Sequence, residues 1–174
     1  DRLINITANP AITGFTAAKI LWVRANEPDI YARCKKILLP KDYIRYKLTG
    51  EFATDVSDAS GTQLLDIKNR CWSAEILENL DIDASLLANL YESPEVTGFI
   101  TKSVSEQTGL CEGTPVVAGA GDNAAAAVGM GVVLEHRAFT TIGTSGVVYG
   151  HTREMHIDPK GRIHTFCSAV PGEW

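Results

Sequence analysis

One stretch constrains the fold more than any other. Val116 to Ala120 is a short apolar run that leads through Gly121 and Asp122 into Asn123-Ala124-Ala125-Ala126-Ala127-Val128-Gly129. The run reads as a buried strand, Asp122 as the capping start of an alanine-rich helix, and Phe139 to Ile142 as the next strand. Alternation of this kind is that of an α/β protein. Gly143-Thr144-Ser145-Gly146 then supplies a small-residue turn one crossover after the carboxylate. Such a junction lets a ligand approach the backbone closely.

Phosphoryl transfer to a hydroxyl suits this pair. A sugar hydroxyl is a poor nucleophile at neutral pH, and an acceptor against it must take its proton as the bond to phosphorus forms. Asp122 is the candidate base. Backbone N–H groups of a glycine-bearing turn can bind the dispersed negative charge of the transferred group, and Gly143 to Gly146 offers them with two hydroxyls. On pattern alone both features have plainer readings. Asp122 also fits as an N-cap that only satisfies the first helix amides, and Ile142 to Tyr149 fits an ordinary hairpin with a glycine-rich turn.

The rest of the chain reads as scaffold. Phe15 to Asn26 predicts an amphipathic helix with Phe15, Lys19, Trp22 and Val23 near one face, stopped by Pro28. Trp22 is then a core residue. Pro40 opens a helix through Lys47 that Gly50 terminates, with Lys41 a solvated lysine of its first turn. Ser73 and Asp83 cap helical patterns between Trp72 and Leu90. Val96 to Ile100 reads as a strand and Ser103 to Gly109 as a helix. The last third is strand-rich, from Ala138 to Tyr149 and again at Ile163 to Phe166. His151, His156 and His164 are expected on surface strands and loops, without a metal site. The clearest internal boundary is Gly129-Met130-Gly131, where helices give way to strands.

With 174 residues the chain can bury a real core. Its net charge of −5 carries no basic patch, which argues against nucleic acid as the main partner. Cys34, Cys71, Cys111 and Cys167 have no metal-ligand spacing and are expected as buried free thiols. Neither a signal peptide nor a membrane-length apolar run is visible, so a cytoplasmic protein is expected.

Several separated blocks together resemble the FGGY family of carbohydrate kinases. They are Thr13-Gly14-Phe15-Thr16-Ala17-Ala18-Lys19-Ile20-Leu21-Trp22-Val23, Leu38-Leu39-Pro40-Lys41-Asp42-Tyr43-Ile44, Leu48-Thr49-Gly50-Glu51-Phe52-Ala53-Thr54-Asp55 and Ser57-Asp58-Ala59-Ser60-Gly61-Thr62, followed by Gly121-Asp122-Asn123-Ala124-Ala125 and Gly143-Thr144-Ser145-Gly146. Their order is the family's, and they cover nearly the whole chain. The resemblance implies a ribonuclease H-like, actin-like ATPase fold with two α/β domains around a cleft. It implies ATP-dependent phosphorylation with Mg²⁺, and D-xylulose converted to D-xylulose 5-phosphate is the expected reaction. Another sugar or polyol, such as glycerol or gluconate, and a non-catalytic sugar-binding protein are the alternatives.

The same resemblance makes Asp122 the general base on the sugar hydroxyl, puts Asn123 at the sugar site, and gives Gly143 and Thr144 contacts to the nucleotide phosphates. The block from Thr54 to Thr62 receives no catalytic role; its Ser, Asp and Gly content fits turns and caps near the cleft. Ala18 and Ala126 depart from the Pro and Gly of many relatives without touching a reacting group. An Asp-Gly-Thr phosphate loop and a Gly-rich adenosine-binding segment are both missing. We therefore expect an internal piece of a longer enzyme, inactive by itself. Residues 1–131 would form the later part of the amino-terminal domain and 132–174 the beginning of the carboxy-terminal one. A sugar and ATP are the expected partners, with no nucleic acid or membrane, and a homodimer is the oligomer to consider.

Overall fold

The computed structural model describes residues 2–174, in which helices pack against short strands paired two by two. In chain order the elements are α1 (Arg2–Thr7), α2 (Thr16–Asn26), α3 (Pro28–Ala32), α4 (Pro40–Thr49), β1 (Ala53–Asp55), α5 (Val56–Ala59), β2 (Leu65–Asp66) and β3 (Cys71–Trp72). Then come α6 (Ala74–Leu80), β4 (Asn89–Tyr91), β5 (Val96–Phe99), α7 (Lys102–Thr108), β6 (Pro115–Val117), α8 (Asp122–Gly129), β7 (Ala138–Ile142) and β8 (Gly146–Gly150). β1 and β4 run parallel, with Ala53 opposite Asn89 and Asp55 opposite Tyr91. The pairs β2–β3, β5–β6 and β7–β8 are antiparallel.

Local chemistry sets most element ends. Pro40 occupies the first turn of α4, where no N–H is needed, and Gly50 closes the helix at φ +79°, donating its amide to the Tyr46 carbonyl at 2.7 Å. Ser73 caps α6 by accepting the Ile76 amide, and Thr101 caps α7 by accepting that of Val104. Asp83 caps only a single 3₁₀ turn, Ala84–Leu86, where a second helix was expected.

Two main clusters form the core. Ile6, Ala17, Ile20, Leu64, Ile76, Leu77, Ile82 and Leu87 make the first; Ala8, Val56, Ala59, Leu65, Ile67 and Cys167 make the second. Leu64 and Leu65, adjacent and fully buried, enter different clusters because successive side chains of extended backbone point to opposite sides. A third cluster, Ala127, Val132 and Phe139, joins α8 to the β7–β8 hairpin, with Phe139 stacked on Tyr149 at 5.1 Å.

Several expectations fail for physical reasons. Trp22 is 59 % exposed, not a core residue. Arg24 turns α2 by donating to the carbonyls of Leu80 at 2.7 Å and Asp81 at 2.6 Å, so Ala17 and Ile20 form the buried face. Ile163 to Phe166 is not a strand. Its backbone is held by side chains instead: Asn9 donates to the Thr165 carbonyl at 2.9 Å, and the Cys167 amide donates to Ser60 Oγ at 3.0 Å. His151 is buried, within 2.5 Å of Glu173, rather than on a surface strand. Of the cysteines, all free, Cys167 is buried, but Cys71 and Cys111 are exposed. Among the described residues no helix is long and apolar enough to cross a membrane.

Candidate active site

Asp122 is the first residue of α8 and is exposed. It does not cap the helix as expected; Gly121 occupies the cap position and brings no side chain. The carboxylate turns toward its neighbour, and Oδ1 accepts the Asn123 amide at 2.8 Å and Asn123 Nδ2 at 3.3 Å. Oδ2 makes no hydrogen bond among the described residues, which leaves it open to an incoming hydroxyl. Asp122 and Asn123 are thus one hydrogen-bonded, accessible pair.

Gly143 and Thr144 lie in the exposed turn between β7 and β8. The Gly143 amide is engaged by the Ser145 carbonyl at 2.9 Å. Among the described residues the amides of Thr144 and Ser145 have no partner, so they are the donors an anion would meet. No hydrogen bond joins this turn to Asp122 or Asn123; the two sites are connected through the shared core of α8 and the hairpin.

Beside the Asp122 turn lies a set of charges that sequence reasoning did not assemble. Lys41 is not a solvated lysine. Its Nζ lies 2.6 Å from Asp42 Oδ1, 2.6 Å from Asp55 Oδ1 and 3.3 Å from Asp58 Oδ2. Burial pulls its pKa down, but Asp55 and Asp42 outweigh that and raise it above the ordinary lysine value. Arg45 donates to Asp42 Oδ1 at 2.7 Å and to the carbonyls of Ala53 and Ala118. Burial raises the Asp58 pKa, with Asp55 and Asp42 adding to it and Lys41 opposing.

Asp55 ends β1 and caps α5: Oδ2 accepts the amides of Ser57 at 2.9 Å and Asp58 at 3.0 Å, and the Ser57 hydroxyl. The capping expected of the Thr54 to Thr62 block is therefore present. The wider set escaped notice because α4 is inverted. Its buried residues are the polar Asp42, Arg45 and Thr49, while Tyr43 and Ile44 face outward. Opposite charges three apart on one helical face were the available signal.

The chain matches the model of the FGGY family of carbohydrate kinases, N-terminal domain, over residues 1–129. It is 45 % identical over 169 residues to the xylulose kinase of Escherichia coli K12, covering 97 % of this chain and 35 % of that protein. It is 46 % identical over 172 residues to the xylulose kinase of Lactococcus lactis IL1403, covering 99 % of this chain and 34 % of the relative. The chain therefore spans about a third of the length of these curated relatives. The crystal structure of a xyloylose kinase from Brucella ovis superposes with a TM-score of 0.95 at 42 % identity, over 99 % of this chain and 36 % of that one. This likeness extends the local α/β arrangement to part of the ribonuclease H-like, actin-like ATPase fold of the sugar kinases. The family match and the fold agree, and the chain belongs to the FGGY family of carbohydrate kinases.

Proposed function

We propose that this chain is part of a longer parent enzyme that transfers the terminal phosphoryl group of ATP to D-xylulose, giving D-xylulose 5-phosphate and ADP. The observation that carries the reading is the identity of 45 % to a xylulose kinase along nearly the whole of this chain. Asp122 accepts the hydroxyl proton through Oδ2 as the oxygen–phosphorus bond forms, and the bond to ADP breaks. Asn123, fixed to Asp122 through Oδ1, holds the sugar beside it. Gly143 and Thr144 shape the phosphate turn, whose Thr144 and Ser145 amides donate to phosphate oxygens without the desolvation cost of extra charged side chains.

Magnesium is the ion such a transfer calls for, neutralising charge on the phosphates. Among the described residues no group of three His, Cys, Asp or Glu is placed to hold a metal. Asp42, Asp55 and Asp58 are already engaged by Lys41, so these residues do not fit the ion and no step runs through it here. Residues 1–131 belong to the amino-terminal domain of the parent and 132–174 begin the carboxy-terminal one, with Gly131 at φ +70° between them. A cytoplasmic enzyme with small-molecule partners and no nucleic acid or membrane fits a net charge of −5 without a basic patch. A homodimer is the oligomer to test by light scattering.

ADP release by the parent enzyme with Mg-ATP and D-xylulose, glycerol or gluconate checks the reading. Turnover specific to D-xylulose is expected. Turnover with another polyol alone would keep the mechanism and replace the substrate, and sugar binding without ADP release would replace the enzyme by a binding protein.

A further inference from the structure

The turn 118–121 that delivers Asp122 is held at each end. The Ala118 carbonyl accepts from Arg45 and its amide donates to the Glu95 carbonyl at 2.9 Å, while the Gly119 amide, at φ +78°, donates to the Ser93 carbonyl at 3.0 Å. At the other end the Gly121 amide donates to Ser57 Oγ at 3.0 Å. Ser57 is buried, and its only proton goes to Asp55 Oδ2. Its oxygen is therefore left to accept, and donation to a carboxylate strengthens that acceptance. The other oxygen of the same carboxylate is 2.6 Å from Lys41 Nζ. Asp58 closes the side of the turn, since a Cβ on Gly121 would stand 3.4 Å from Asp58 Oδ1.

We infer that Ser57 is a positioning residue for the proposed reaction: clamped by the Lys41–Asp55 ion pair, it fixes the Gly121 amide and so sets the direction of the Asp122 carboxylate. The inference rests on Asp122 being the base. Among the described residues the Asp122 carboxylate hydrogen-bonds only to Asn123, the next residue of the same helix, so no distant side chain holds it and the pair takes its direction from the backbone immediately before it. A small displacement of a reacting group costs rate without loosening substrate.

The test uses the parent enzyme with Ser57→Ala, Ser57→Thr, Asp122→Asn and the Ser57→Ala/Asp122→Asn double variant, with thermal melting as the check on folding. Ser57→Ala is expected to lower kcat about 10- to 100-fold with KM for ATP nearly unchanged, and Ser57→Thr, which keeps the hydroxyl, to recover most of it. The double variant is expected to be no slower than Asp122→Asn, because Ser57 acts through Asp122. Should Ser57→Ala not fold, Ser57→Cys, whose sulfur accepts weakly, is expected to show the same kcat loss. Unchanged kcat in a folded Ser57→Ala, or an equal slowing on the Asp122→Asn background, would overturn the positioning role while leaving the base intact. Near-normal turnover of Asp122→Asn would overturn both.

Discussion

The turn before Asp122 and the turn between β7 and β8 have similar small-residue sequences, yet the protein treats them differently. The first is gripped by Arg45, Ser57, Ser93 and Glu95, which engage the amides of Ala118, Gly119 and Gly121 and the Ala118 carbonyl. The second has one internal backbone bond, Gly143 to Ser145, and is flanked by apolar side chains that face outward, with Ile142 89 % exposed. Proton transfer needs a fixed angle between acid and base, whereas a phosphate can be met by amides that settle around it. With the proposed roles of the two turns, rigidity is placed where direction matters.

The largest way to break this contrast is Arg45→Met. Arg45 is 5 % exposed and Asp42 1 %, so the change leaves the buried Asp42 carboxylate with Lys41 as its remaining charged partner and strands the carbonyls of Ala53 and Ala118. About 3–5 kcal/mol of stability should be lost, read from urea midpoints; a loss below about 1 kcal/mol would mean that the network is not what braces the turn. Hydrogen exchange resolved by residue sharpens the same point. The Gly121 amide should exchange at least about 100-fold more slowly than those of Thr144 and Ser145, and equal rates would erase the distinction.

Thr144→Ala comes next. It should raise KM for ATP severalfold in the parent enzyme while stability stays within about 0.5 kcal/mol, because Thr144 is exposed and its side chain makes no hydrogen bond among the described residues; a larger stability loss would reveal packing at the turn. Asp58→Asn is the smallest effect and carries a sign. Burial raises the Asp58 pKa in the folded protein, so the folded state binds that proton more tightly than the unfolded one. The ionised side chain therefore costs stability above its folded pKa, and the cost disappears as pH falls below the ordinary aspartate value of about 3.9. Asp58→Asn should be neutral or slightly stabilising at pH 7, offset in part by the lost contact with Lys41. That advantage should vanish below about pH 4 in urea melts, and clear destabilisation at neutral pH would show the ion pair to be the stronger effect.

What the sequence made legible follows from what is local. The α8 start, the hairpin around Gly143, the Gly50 stop and the Ser73 cap each depend on a few adjacent residues, and each is present. Trp22 and Lys41 were misjudged because their settings are made at a distance. Arg24 rotates α2 through the end of α6, and three aspartates from α4, β1 and α5 gather around Lys41. Apolar periodicity could not report an α4 whose buried face is polar. Ile163 to Phe166 has strand composition, but Asn9 and Ser60 hold that segment where a neighbouring strand would be needed. The proposed site residues, Asp122 and Asn123 at the start of α8 and Gly143 and Thr144 in the hairpin turn, can be named from adjacent residues alone; the braces that distinguish the two segments cannot.

The central assignment is Asp122 as the base, and the most direct measurement is D-xylulose-dependent ADP release by the parent enzyme and its Asp122→Asn variant. Asn keeps the side-chain shape and the contact to Asn123 while removing the proton acceptor, so kcat should fall about 100- to 10,000-fold with melting temperature nearly unchanged. A variant that turns over at close to the unaltered rate would contradict the assignment.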